Sequence, residues 1–324
     1  MKKCLICRQS THLLIDNLFD DRYGAPGKFS INQCPNCGFG RISPGLNEEE
    51  IGQFYARYYP LSAATAESVK SQAKISPSWK SWLLGTNNIS HLATKPKDTV
   101  LDIGSASGVS LLEIKALGGE AYGVEPDPNA ARIAKDLKLK VFSGQVTDNP
   151  FPKNTFDLIS ASQVIEHTPD PTVFLDTVAV KLNKNGRIVL SFPNVNSFYR
   201  HLFGRYWINW HVPYHYNFFT KKSLAMLANQ KKLRVTKIKT ITPNDWTLLQ
   251  LFMFIFRPKA NAMQPIWAEQ HKKTKDQNLR SILRQTIRYT ILIILLPIIT
   301  IANRTIDALG CGESFLVELK RTND

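Results

Sequence analysis

The sequence predicts an α/β protein whose largest part is a parallel sheet covered by helices. Three observations carry that reading. Between residues 99 and 191, apolar runs of strand length alternate with helical stretches, which is the signature of strand–helix–strand units. The first run ends in a glycine turn, Gly104-Ser-Ala-Ser-Gly108, and the second in an acid, Glu125. Both features mark a ligand site at the carboxyl ends of the strands. Two Cys-x2-Cys pairs stand ahead of this region. The expected architecture is Rossmann-like, with seven mostly parallel strands and helices on both faces. A small N-terminal zinc-ribbon-like module and a helical C-terminal insertion complete it.

Residues 1–47 are read as the module. Cys4 and Cys7, like Cys34 and Cys37, are two residues apart, a gap that lets both thiolates turn toward one tetrahedral ion. Gly38 supplies the positive φ that a knuckle turn needs. The long gap between the pairs leaves room for a hairpin. Four sulfur ligands leave no open position, so the expected zinc is structural; the alternative is four buried free thiols. Cys311, alone near the far end, reads as a packing residue. Cys7 and Arg8 break the first apolar run too early for an export signal. The expected compartment is therefore the cytoplasm, where paired cysteines favour metal over disulfides.

A helical, aromatic connector follows over residues 48–95. The core is expected over 96–241 and 312–324. Its strands are Thr99 to Ile103, Glu120 to Val124, Leu139 to Phe142, Phe156 to Ala161 and Gly186 to Ser191, with helices at Val109–Leu117, Pro128–Leu137 and Pro171–Leu182. Leu233-Arg-Val-Thr-Lys-Ile-Lys-Thr and Ser314-Phe-Leu-Val-Glu-Leu-Lys fit a closing pair of strands.

The loop after the first strand is not G-x-G-x-x-G, and no Walker lysine follows it, which disfavours dinucleotides and nucleoside triphosphates. Leu101-Asp-Ile-Gly-Ser-Ala-Ser-Gly108 resembles instead the first motif of class I S-adenosylmethionine-dependent methyltransferases, commonly D-x-G-x-G-x-G. Ala106 stands where that motif has its middle glycine. The resemblance covers roughly residues 95–240 and the last strand. It implies S-adenosylmethionine as cofactor, with Asp102, Gly104, Ser105, Ala106, Gly108, Glu125 and Pro126 around it and Glu125 on the ribose hydroxyls. Gln145 and Val146 would pass the adenine, and Ser162 and Gln163 would lie between cofactor and acceptor. The subgroups resembled are the ubiquinone-type O-methyltransferases and the zinc-module sugar methyltransferases of polysaccharide pathways. The latter share the cysteine pairs and a following Tyr-Tyr, here Tyr58-Tyr59.

A sulfonium methyl is already electrophilic, so the protein chiefly aligns an acceptor for in-line displacement. A hydroxyl acceptor also needs a base, for which histidine is suited. His167, just past the fourth strand, is the first candidate, with Glu166 orienting it or capping the next helix. His211 and His215 are the reserve. Ten of the 33 aromatic residues lie between Phe198 and Phe219, a density that reads as a pocket lid with partial core duty.

Residues 242–311 are too many for a plain loop and should carry their own structure. Their apolar runs, Leu248 to Phe256 and Thr290 to Ala302, are too short to span a bilayer and read as interfacial, with a buried helix as the alternative. Charge is lopsided. Residues 1–176 carry 18 Lys/Arg and 19 Asp/Glu, and residues 177–324 carry 23 and 7. An anionic partner follows, here an anionic membrane surface on the cytoplasmic side. Nucleic acid is disfavoured, because the Asn/Asp-Pro-Pro-aromatic motif of exocyclic-amine methylation is missing after the fourth strand. The expected reaction is O-methylation of a glycan, lipid-linked sugar or quinone-like acceptor, with RNA methylation and sugar C-methylation as alternatives. Oligomeric state is left open.

Overall fold

The computed structural model of the chain describes residues 3–59, 64–264, 267 and 295–322. The N-terminal part holds β1 (His12–Leu18), β2 (Phe29–Gln33) and β3 (Gly40–Ser43), paired antiparallel in that order. The predicted hairpin is β1–β2. Four short helices connect to the core: α1 (Glu48–Arg57), α2 (Ala66–Gln72), α3 (Ser78–Leu84) and α4 (Ser90–Ala93). Then come β4 (Thr99–Ile103), α5 (Val109–Ala116), β5 (Glu120–Glu125), α6 (Pro128–Asp136), β6 (Lys140–Ser143) and β7 (Phe156–Ser162). After them follow α7 (Pro171–Lys181), β8 (Leu182–Pro193), α8 (Phe198–Phe203), β9 (Asn217–Phe218), α9 (Lys221–Gln230) and β10 (Leu233–Ile241). The described chain ends with α10 (Asn244–Phe256), a helix at residues 295–308 labelled α11, and β11 (Ser314–Arg321).

The main sheet has seven strands in the order β10-β11-β8-β7-β4-β5-β6. Strands β8, β7, β4, β5 and β6 are parallel, while β11 inserts antiparallel between β8 and β10. Strand order reverses between β4 and β7, which is where such sheets bind ligands. The inner strands read as continuous apolar runs because helices cover both faces: Leu101, Ile159, Ile188 and Leu190 are fully buried. Helices α6 and α7 each start with an aspartate, Asp127 or Asp170, that accepts an N–H of the first turn, followed by proline. That arrangement satisfies an orphan donor and presets φ.

The four cysteines do not stand off from the core. Cys4, Cys34, Cys37 and Phe39 pack in the same apolar cluster as Leu101, Phe192 and Phe219. The N-terminal sheet gains a fourth strand from the catalytic region, β9, through Gly40↔Phe218 and Arg41↔Asn217. At the join Thr220 caps α9 by accepting the Ser223 N–H and donates its hydroxyl to the Cys37 carbonyl at 2.7 Å. A Cβ on Gly38 would lie 2.7 Å from the Thr220 methyl, so that glycine permits both the turn and the contact. Cys311 is exposed; it sits on the turn after α11 with its thiol toward the Leu309 carbonyl, and is not a packing residue. Replacing Thr220 by alanine removes cap and bridge together, with an expected cost of about 1–2 kcal/mol. Thermal unfolding of Thr220→Ala and Thr220→Ser checks this: serine should retain most of the stability and alanine should not.

Candidate active site

The turn between β4 and α5 is set by a buried acid. Asp102 accepts hydroxyls from Ser90 at 2.8 Å and Ser160 at 2.6 Å on one oxygen, and from Ser110 on the other. Burial pushes its carboxyl up, against those three hydrogen bonds. Expected beside the cofactor, Asp102 is instead committed to serines of α4, α5 and β7, and acts by positioning the turn. Gly104 and Gly108 have φ of +72° and +96°, and Ala106 has +46°. A left-handed conformation at alanine is strained, which explains why the motif has glycine there. A Cβ on Gly104 would lie 2.7 Å from the Val164 side chain. The Ser105 hydroxyl is buried without a partner.

Glu125 ends β5 facing that turn. Its two oxygens accept the Ala106 and Asp127 N–H groups, each at 2.8 Å, and burial raises its carboxyl. Each oxygen keeps a second lone pair, as pinning a ribose diol requires. A glycine cradle, an unpartnered hydroxyl and a buried carboxylate together fit a nucleoside-bearing cofactor. Pro126 and Gln145 are exposed beside this groove, and Val146 packs on the core. Ser162 accepts the Ile89 N–H, and the Gln163 amide donates to Ser191.

Past β7 the chain turns through Ile165–His167, held by Tyr216 N–H on the Glu166 carbonyl and by the Asn217 amide on Ile165 and Thr168. This hold brings all three candidate histidines together. The His167 ring lies 4.6 Å from His215 and 6.3 Å from His211, centroid to centroid, and the latter two are 4.8 Å apart. His167 Nδ1 faces the Tyr214 carbonyl at 3.0 Å, and His215 Nδ1 faces the Asn209 carbonyl at 2.8 Å. Carbonyls only accept, so both rings carry their proton on Nδ1 and keep a lone pair on Nε2. Burial pushes His167 down to about 4, and pushes His211 and His215 well below the ordinary imidazole range. All three are neutral at pH 7. Glu166 does not cap α7, because Asp170 does. Its carboxyl is buried, both oxygens lack a partner, and burial pushes it up to about 8. One atom each of Glu166, His167 and His215 lies within 4.8 Å of the others, room for a shared proton or a cation.

Tyrosines from three separate stretches, Tyr23, Tyr55 with Tyr59, and Tyr214, wall this cluster. Tyr23, in the β1–β2 loop, meets Tyr59 at 5.1 Å and His211 at 5.7 Å, and Tyr55 bonds His167 Nδ1 at 2.9 Å. Sequence reasoning missed Tyr23 and Tyr55, since no local pattern marks either; Tyr59 was visible only as part of the Tyr-Tyr pair. The aromatic stretch 198–219 carries the core duty expected of part of it: Trp207, Tyr214, Phe218 and Phe219 are fully buried.

A methyltransferase-domain family model matches residues 81–238. The chain carries a class I S-adenosylmethionine-dependent methyltransferase domain. Two similar proteins are the mitochondrial ubiquinone biosynthesis O-methyltransferase of Schizosaccharomyces pombe, 32% identical over 28% of this chain and 36% of that one, and its counterpart from Bradyrhizobium diazoefficiens, 33% identical over 30% and 40%. The chain thus spans about two fifths or less of these relatives. Among solved structures, the Bacillus YcgJ protein overlaps 72% of this chain and 97% of its own at 15% identity, TM-score 0.44. Geranyl diphosphate C-methyltransferase from Streptomyces coelicolor overlaps 92% and 93% at 13% identity, TM-score 0.43.

At the other end, the four cysteines are free thiols whose sulfurs lie 3.3, 3.6 and 3.7 Å apart for Cys7–Cys34, Cys4–Cys37 and Cys7–Cys37. Four sulfurs about 2.3 Å from a tetrahedral zinc are about 3.8 Å from one another, so the set fits that ion. Elemental analysis of purified protein should return one zinc per chain, and none from a Cys34→Ser/Cys37→Ser variant. For the domain, Glu125→Ala should weaken S-adenosylmethionine binding about ten- to a hundred-fold by calorimetry, the loss of charge-assisted bonds to two hydroxyls. Unchanged affinity would remove Glu125 from the ribose.

Proposed function

We propose that the protein methylates a hydroxyl on a phenolic, quinone-like ring seated between the histidine cluster and the tyrosines. The observation that carries this reading is the convergence of three neutral imidazoles and a tyrosine wall at the carboxyl end of β7, beside the Gly104–Gly108 turn. S-adenosylmethionine, when bound, supplies an electrophilic methyl group. His167, its ring held by the Tyr214 carbonyl, keeps Nε2 open to take the acceptor proton. An imidazole held near 4 by burial is poorly matched to an aliphatic alcohol and better matched to a phenol, which ionises near 10. The aromatic walls favour a flat ring over a polar chain. The similarity to ubiquinone biosynthesis O-methyltransferases supports the same choice.

His167→Ala should lower turnover about a hundred- to ten-thousand-fold while S-adenosylmethionine still binds with parental affinity. Labelled methyl supplied with a membrane-lipid extract and with glycan precursors identifies the acceptor class. Label in phenolic lipids supports the reading; label in glycans alone replaces phenol by sugar.

A further inference from the structure

Three neighbouring helices turn polar side chains inward and large apolar ones outward. In α10 the buried positions are Asn244, Thr247, Gln250 and Met253, while Ile255 and Phe256 are 68% and 67% exposed. In α11 the buried side holds Asn303 and Arg304 beside one apolar residue, Ile299, while Ile298 and Ile301 are 61% and 69% exposed. In α3 only Ser81 is buried, and Trp79 and Trp82 face outward.

Hydrogen bonds join the inward polar groups of α10 and α11 to one another and to backbone carbonyls of α3. Asn244 donates to Thr300 at 2.8 Å, and Asn303 donates to Asn244 and to Thr247, each at 3.0 Å. Arg304 donates to the Trp82 and Thr242 carbonyls, and Asn244 to the Leu83 carbonyl. Water selects helices with apolar residues inward. Helices that bond their amides to one another and turn Trp, Phe and Ile outward suit an apolar surrounding.

We propose that α3, α10 and α11 form a monotopic docking face that lies in the headgroup–acyl boundary of an anionic bilayer. The depth follows from length. α10, with 13 residues, extends about 20 Å, short of the roughly 30 Å hydrocarbon core, and no helix among the described residues is long and apolar enough to cross a membrane. Paired tryptophans with Lys80 between them suit the interface, where indole and ammonium groups collect. Arg257 and Lys259, both exposed, close the α10 end.

The chain joining α10 to α11 favours lipid over a second copy of this protein. Its segment 271–288 lies outside the described residues, yet its sequence carries Lys272, Lys273, Lys275, Arg280, Arg284 and Arg288 against one acid, Asp276. Two copies of the chain repel through such like charges, whereas phosphate headgroups neutralise them. The face is independent of the acceptor's identity.

Flotation of the full chain with vesicles of phosphatidylcholine containing phosphatidylglycerol tests this. The parent should float, less so as salt rises. A variant combining Ile255→Ser, Ile298→Ser and Ile301→Ser should bind at least about tenfold more weakly at an unchanged thermal midpoint, while Leu13→Ser, on an exposed site of β1, should bind like the parent. Fluorescence quenching of the parent by brominated lipids carries the test if the triple variant misfolds. Equal flotation of triple variant and parent overturns the proposal. So does a parent that stays down, or quenching that is absent. A parent that stays down and sediments as a dimer, which the triple variant converts to monomer, assigns the face to a second copy.

Discussion

Everything at the cofactor end hangs on the carboxylate of Asp102 and the three serines that reach it. Burying a charged acid in the middle of a sheet costs several kcal/mol unless its lone pairs are filled. Here the donors come from β7, from α5 and from α4, which precedes the sheet. Meeting that need fixes the start of α5 against β4 and thereby the course of the Gly104–Gly108 turn. The turn in turn offers the Ala106 N–H to Glu125. Removing any one serine would leave an unfilled lone pair beneath the groove.

The acceptor end is held by a comparable arrangement. Glu313, just before β11, is fully enclosed and accepts Trp207 Nε1 at 2.7 Å and Asn209 Nδ2 at 2.8 Å. Asn209 passes the constraint on, since its carbonyl receives His215 Nδ1. Burial pushes the Glu313 carboxyl up to about 7. The tautomer of a candidate catalytic imidazole is therefore set from the end of the sheet's last-made strand, about a hundred residues away in sequence.

Features that repeat locally were legible in the sequence. Strand–helix alternation, the glycine turn, the acid after β5 and the cysteine spacings each depend on neighbours a few residues apart, and the strands lie within a residue or two of expectation except β8, which begins at Leu182. What depends on distant partners was not legible. Tyr23 reaches the histidines because Asp20 accepts the N–H groups of Arg22, Tyr23 and Ala25 and so shapes its loop, a geometry with no periodic trace. The apolar run ending in Phe256 and the polar residues Asn244, Thr247 and Gln250 are both plain in the sequence; that the polar ones face inward emerges only once α11 supplies their partners. Cys311 looked like core by residue type, but a turn after α11 leaves it outside.

The pairing of β3 with β9 has a consequence for how the chain assembles. Residue 40 meets residue 218, so the sheet that carries the cysteine knuckles cannot acquire its fourth strand until two thirds of the polypeptide has left the ribosome. Such a contact closes a long loop and is entropically late. Until then β3 presents an open edge, a template for pairing with another nascent chain. A metal ion clasping the two knuckles would hold the early hairpin compact through that interval. The knuckles would thus matter most before the enzyme exists as such, as a clamp on an unfinished sheet waiting for its last strand.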